Sequence, residues 1–155
     1  DADYFMRRFK VQSFEANGAL KSELAGSEIR HYPDTDTLEI DQVRMHSYSK
    51  EGQLTVITAQ KALSNGDGSE VQFFGNAHVV RDAHRDDDGK LVPRVELRSE
   101  FLHVIMDTEQ ITTPKPVELT RGNDRFTGDA MNYDNIHRVM ELRGRVRGVL
   151  APSKP

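Results

Sequence analysis

Apolar and polar residues alternate along most of the chain with a period of two, the spacing that sends successive side chains to opposite faces of a strand. The runs that do so are Phe9 to Phe14, Thr37 to Tyr48, Leu54 to Leu63, Glu70 to Arg81, Val92 to Met106, Pro116 to Thr120, Arg125 to Tyr133 and Arg138 to Leu150. Many are rich in Val, Ile, Thr, Phe and Tyr, and none carries a 3.6-residue apolar stripe over three turns. A short helix over Tyr4 to Phe9 is compatible with the opening residues. Turn chemistry separates the runs at Asn17-Gly18, Pro33-Asp34, Glu51-Gly52, Asn65-Gly66, Asp88-Gly89, Asp107-Thr108, Arg121-Gly122 and Asp134-Asn135. The pattern therefore predicts an all-β chain of stacked antiparallel hairpins.

A longer period overlies the alternation. Ala25 and Val43, Ala59 and Ala77, Ser99 and Val117, and Gly128 and Val146 form four pairs, each 18 residues apart, whose starts are separated by 34, 40 and 29 residues. That is the length of two strands and a turn, which points to a repeated architecture without one privileged catalytic position. The last run alternates most cleanly: Met140, Leu142, Gly144, Val146, Gly148 and Leu150 against Glu141, Arg143, Arg145 and Arg147. It predicts one buried and one wet face, with two inward glycines that either leave space for a ligand or mark a bend.

Composition narrows the function classes. With 155 residues, 36% of them hydrophobic and 30% charged, the chain suits one domain with a thin core and much wetted surface. We place that domain at residues 1–150 and expect a disordered tail at 151–155. A net charge of −4 argues against general nucleic-acid binding, although residues 121–155 hold seven Lys and Arg against four Asp and Glu. No apolar run is long enough to span a membrane, and the start at Asp1 without a methionine is compatible with loss of a targeting or anchoring segment.

Catalytic and cofactor chemistry finds little support. The chain has no cysteine, hence no disulfide, thiolate metal site or cysteine nucleophile. Nucleophile elbows, dinucleotide and phosphate loops and zinc-protease motifs are absent from the sequence. Its histidines, at 31, 46, 78, 84, 103 and 137, lack metal-ligand spacing. The stretch from His84 to Gly89 resembles a calcium loop only faintly, because Val95 stands where the bidentate Glu is needed. Neither enzyme activity, metal nor cofactor is expected.

Several motifs taken together resemble the LptC family of lipopolysaccharide export components. They are Asp3-Tyr4 followed by Phe9, Asn17-Gly18-Ala19-Leu20 leading to Leu24-Ala25, and Phe74-Gly75-Asn76-Ala77-His78-Val79. Ile111-Thr112-Thr113, Pro116-Val117, Phe126-Thr127-Gly128 and Leu142-Arg143-Gly144-Arg145-Val146-Arg147-Gly148 continue the series over nearly the whole chain. The chain departs from the pattern at Ala77, where Val is usual, and in its longer acidic loop from Asp82 to Lys90.

The resemblance implies a single twisted open β-jellyroll that carries lipopolysaccharide in an apolar groove. It further implies receipt of the lipid from the LptBFG transporter, delivery to LptA, and a periplasmic location with an inner-membrane anchor. For the groove, Phe9, Ile40, Phe73, Met140 and Leu142 are the expected lipid contacts, each also suited to plain sheet core. Gly18 matches a family glycine tied to transporter association, and Gly122 falls near a second sensitive glycine. Arg145 matches a basic residue of the edge strand that meets LptA, where Arg143 and Val146 are its expected companions. The same edges would serve a homodimer. Two other readings stand beside the carrier: an adaptor of β-sandwich type that pairs only through its edges, and, more weakly, a carbohydrate-active β-sandwich enzyme.

Overall fold

A computed structural model describes residues 1–152, and the residues 153–155 of the expected tail lie outside it. The strands are β1 (Tyr4–Phe14), β2 (Leu20–Tyr32), β3 (Thr37–Tyr48), β4 (Leu54–Asn65), β5 (Glu70–Arg81), β6 (His84–Arg85), β7 (Leu91–Val92), β8 (Val95–Ile105), β9 (Gln110–Thr113), β10 (Val117–Arg121), β11 (Asp124–Gly128), β12 (Ala130–Asp134), β13 (Val139–Arg143) and β14 (Arg147–Val149). The fold is all-β, an open sheet of antiparallel strands. The stretch Tyr4 to Phe9, compatible with a helix by composition, is instead extended and pairs with β2 from Tyr4↔His31 to Phe9↔Gly26. Backbone pairing along a neighbouring strand satisfies more donors and acceptors than one isolated helical turn would.

All but the small β6–β7 pair belong to one sheet folded over on itself. Its main path runs β1-β2-β3-β4-β5-β8-β10-β11-β14, and a branch leaves through β9, β12 and β13. The fork is β8, whose Val95–Ser99 half pairs with β10 and whose His103–Ile105 end pairs with β9. Each long strand thus contributes one half to each of two facing leaves. Leaf I holds residues such as 43–48, 54–59, 77–81 and 95–99 and ends at β14. Leaf II holds 37–41, 61–65, 70–74 and 101–105 and ends at β13.

Between the leaves runs a crease, and the fourfold pairs lie along it. Val43 faces Ala59, Ala77 faces Ser99, Ser99 faces Val117 and Val117 faces Gly128 in register. Small residues are needed there because the backbone bends and the leaves approach most closely; a Cβ added to Gly26 would stand 2.7 Å from Ile40 Cγ2 and 2.8 Å from the Asp41 carbonyl oxygen. The bend is made by residues in the left-handed region within strands: Arg8 (φ 51°), Gln42 (φ 49°), Gly75 (φ 80°) and Asn76 (φ 50°). Register shifts between Thr58 and Lys61 and between Phe74 and Ala77 mark the same line.

Past β8 the strands themselves are interrupted at the crease. Pro114 and Pro116 separate β9 from β10, Asp129 separates β11 from β12, and Gly144–Val146 separate β13 from β14. The predicted run from Arg138 to Leu150 is therefore two strands in different leaves. Its alternation survives only as far as Leu142, since Val146 is half-exposed and Leu150 is 69% exposed. Gly144 (φ 70°) and Arg145 (φ 43°) turn the chain, so Gly144 marks a bend, one of the two roles its position allowed.

Candidate functional site: the cleft between the leaves

Antiparallel register aligns one apolar row across the whole of leaf I. Val11 faces Leu24, Leu24 faces Met45, Met45 faces Ile57, Ile57 faces Val79, Val79 faces Leu97, Leu97 faces Leu119, Leu119 faces Phe126, and Phe126 faces Gly148. The row crosses all nine strands of the main path. At about 4.8 Å per strand it is roughly 38 Å long. On the opposite face of the leaf, Arg44, Thr58, His78, Arg98, Glu118, Thr127 and Arg147 form the matching polar row, so leaf I is amphipathic from β3 to β14.

Leaf II supplies two rows. The deeper one joins Ile29, Ile40, Ala62, Phe73 and Leu102, all nearly or fully buried. Nearer the mouth, Val104 faces Ile111, Ile111 faces Tyr133, and Tyr133 faces Met140. Between this row and Met45, Ile57, Val79 and Leu97 of leaf I lies a cavity of about 90 Å³. Its walls are apolar until the mouth, where Ser47, Thr55, Arg81, Glu109 and Asn135 replace them.

The residues expected to touch lipid are distributed unevenly about this cleft. Met140 lines it. Phe9 packs at the crease against the space above Gly26, and Ile40 and Phe73 are completely buried in the wall of leaf II. Leu142 covers Gly128, where an added Cβ would lie 3.4 Å from Leu142 Cβ. Met45, Ile57, Val79, Leu97 and Ile111 were not among the expected contacts. All but Ile111, which lies between two predicted runs, stand at alternating positions of a legible run, but only the register shows which of them share a row.

The residues expected at interfaces lie at opposite ends of the sheet. Gly18 (φ 87°) occupies the β1–β2 turn with no neighbouring atoms about its Cα face, whereas Gly122 (φ 59°) occupies the β10–β11 turn and donates its N–H to the Arg94 carbonyl. At the β14 end, to which Gly122 also belongs, Arg143 closes β13 and lies 3.6 Å from Glu141. Arg145 is outside any strand and forms a fork on Asp129 at 2.9 and 3.0 Å. That fork holds the Asp129 carboxyl below its usual range. Asp129 in turn donates its N–H to the carbonyls of Arg143 and Gly144, tying the bend to leaf II. Among the described residues β14 pairs only with β11, and its last residue, Val149, is 69% exposed. Beyond the strand, Ala151 donates its N–H to Asp124.

The sequence model of the family described as "Lipopolysaccharide-assembly, LptC-related" matches residues 1–151. The chain belongs to that family. Its role accordingly lies in lipopolysaccharide transport, among proteins that act as transport and binding modules. A solved structure of LptH, described as the LptA homologous periplasmic component of the lipopolysaccharide transport device of Pseudomonas aeruginosa, has the same fold. It matches with a TM-score of 0.67 at 12% identity, over 84% of this chain and 95% of that one. No curated protein matches the sequence. Among the described residues no helix is long and apolar enough to cross a membrane.

Proposed function

We propose that this LptC-related chain carries lipopolysaccharide across part of the periplasm, with the acyl chains in the cleft between the leaves. The observation that carries this reading is the unbroken apolar row from Val11 to Gly148, which is open at both edges. Sequestering hydrocarbon needs apolar area and little else, since each buried CH₂ contributes about 0.8 kcal/mol. A row that crosses every strand of a leaf lets a chain slide without meeting a polar barrier. The lipid enters from an LptBFG-type transporter at the β1 edge and leaves towards an LptA-type partner at the β13–β14 edge. At both places free backbone groups can extend the sheet into a neighbour. An inner-membrane anchor preceding Asp1 fits the same path.

A photo-crosslinking residue placed in cells at Met140 or Leu97, which face the cleft, is expected to give lipopolysaccharide adducts. The same residue at Glu118, on the polar face of leaf I, is expected to give none. Absence of adducts at both cleft positions, with adducts forming in an established carrier handled in parallel, overturns the carrier reading in favour of an adaptor that only pairs edges.

A further inference from the structure

The cleft does not simply open into solvent; it opens into a second, polar chamber. This vestibule has a volume of about 290 Å³ and shares Ser47, Thr55, Arg81, Glu109 and Asn135 with the mouth of the cleft. Its outer wall adds Lys50, His84 and Arg138, with Glu51 opposing them. A narrow apolar slot continuous with a wider chamber bearing three permanent cations has the shape and polarity of an anionic amphiphile. The chain as a whole is acidic, at −4, so the cations at this one mouth do not reflect a generally basic surface.

Arg81 stands at the junction. It follows Val79 by two residues on β5 and so points to the same inner face of leaf I. Its Nη1 donates to Asn135 Oδ1 of leaf II at 3.2 Å, an atom that also accepts from Tyr133 Oη at 3.0 Å. Asn135 is held from the other side, with Nδ2 donating to Glu109 Oε1 at 3.0 Å and its N–H donating to the Glu109 carbonyl. The guanidinium is underused: Arg81 Nε is buried and has no hydrogen-bond partner. A buried charged donor left unpaired is costly, and a guanidinium edge is shaped to take two oxygens of one phosphate or carboxylate. Glu109 is the one carboxylate at the junction, and its engagement with Asn135 keeps it occupied.

We propose that Arg81 binds a phosphoryl group on the headgroup of the carried lipid, offering two of its oxygens the Nε and Nη2 donors while Nη1 stays on Asn135. Lys50 and Arg138 neutralise the remaining charge, and the acyl chains lie in the cleft beyond. This inference rests on the carrier reading and specifies its polar end.

The test is equilibrium binding to the immobilised chain of bisphosphorylated lipid A, of the same lipid A stripped of its phosphates, and of inorganic phosphate. The wild-type chain is expected to prefer the phosphorylated lipid by about tenfold or more, the worth of one good charged contact. Arg81→Gln is expected to abolish that preference and Arg81→Lys to keep part of it. Equal binding of both lipids by the wild type, or an unchanged preference in Arg81→Gln, overturns the proposal and leaves the carrier reading intact. Failure of both lipids to bind removes the carrier reading and this proposal with it. Should inorganic phosphate at equal concentration erase the preference, the site takes free anions and the assignment to a headgroup is wrong. If Arg81→Gln melts at room temperature, the exposed pair Lys50→Gln/Arg138→Gln reads the same preference, and an unchanged ratio there counts against the vestibule.

Discussion

At the scale of single residues, the cleft separates side chains that build the wall from those that meet what lies inside it. Phe73 and Met140 were both expected to contact lipid, yet Phe73 is completely buried in leaf II and Met140 is only partly buried at the cleft. The two predict opposite phenotypes. Phe73→Ala should destabilise by about 3–5 kcal/mol through cavity formation, lowering the melting temperature by about 10 °C in a chain this size. Met140→Ala should melt close to the wild type but lose lipid adducts at a probe placed on Leu97. Thermal denaturation and crosslinking on both variants decide it: a large loss of stability at Met140 with adducts intact would make Met140 wall and not lining.

Among the elements, hairpins were easy to read and the crease was not. All eight turn signals fall in turns or at strand ends, and the predicted limits of β3 and β5 are those observed. By contrast β2 alternates weakly, burying only Ile29 fully, and no run was predicted there. The crease escaped because three of its four bending residues are Arg8, Gln42 and Asn76. Left-handed backbone at Arg or Gln has no signature in composition, and it was the small-residue pairs, read as a repeat, that traced its line. The cleanest alternation in the chain thus concealed the break at Gly144. The missing information throughout was register, which no single run contains.

Strand pairing also sets a pH dependence on the polar face. Glu96 of β8 is held at about 2, from an ordinary 4.5, first by Arg94 and then by His78 across on β5. A depressed carboxylate stabilises the fold above its unfolded value, and the contribution disappears as pH falls from about 4.5 towards 2. Glu39, lowered first by Lys61, and Asp41, lowered first by Arg30, act in the same direction on leaf II. His31 acts in the other sense. Its ring is raised by Asp36 and Asp3, so its contribution is complete below 6.5 and fades as pH rises through the higher folded value. Glu96→Gln should therefore flatten the fall in melting temperature between pH 4.5 and 2. Parallel curves for the two proteins across the acid range would show that the Arg94 and His78 contacts add nothing to stability.

For the whole molecule, the governing quantity is the volume of the cleft. About 90 Å³ admits only a few methylene groups, and only Met45, Ile57, Val79 and Leu97 of the nine-strand apolar row line it. A carrier of multi-chain lipid with this geometry must open, and the fold says where. The leaves share continuous strands at the crease from β1 to β8, but at the mouth they meet through polar contacts such as Arg81 to Asn135. Opening at the mouth breaks such contacts and exposes apolar surface that the lipid then covers, so occupancy and opening stabilise each other. Because the chain contains no cysteine, the motion can be blocked selectively. Thr55 of leaf I and Ile136 of the β12–β13 turn both face the vestibule. Cysteines at these positions, bridged by a short bismaleimide, should hold the mouth shut and suppress lipopolysaccharide adducts at a Leu97 probe. The same double variant capped with a monofunctional maleimide should retain them. Equal adducts in the bridged and capped proteins would mean that lipid travels from the β1 edge to Leu97 without parting the leaves.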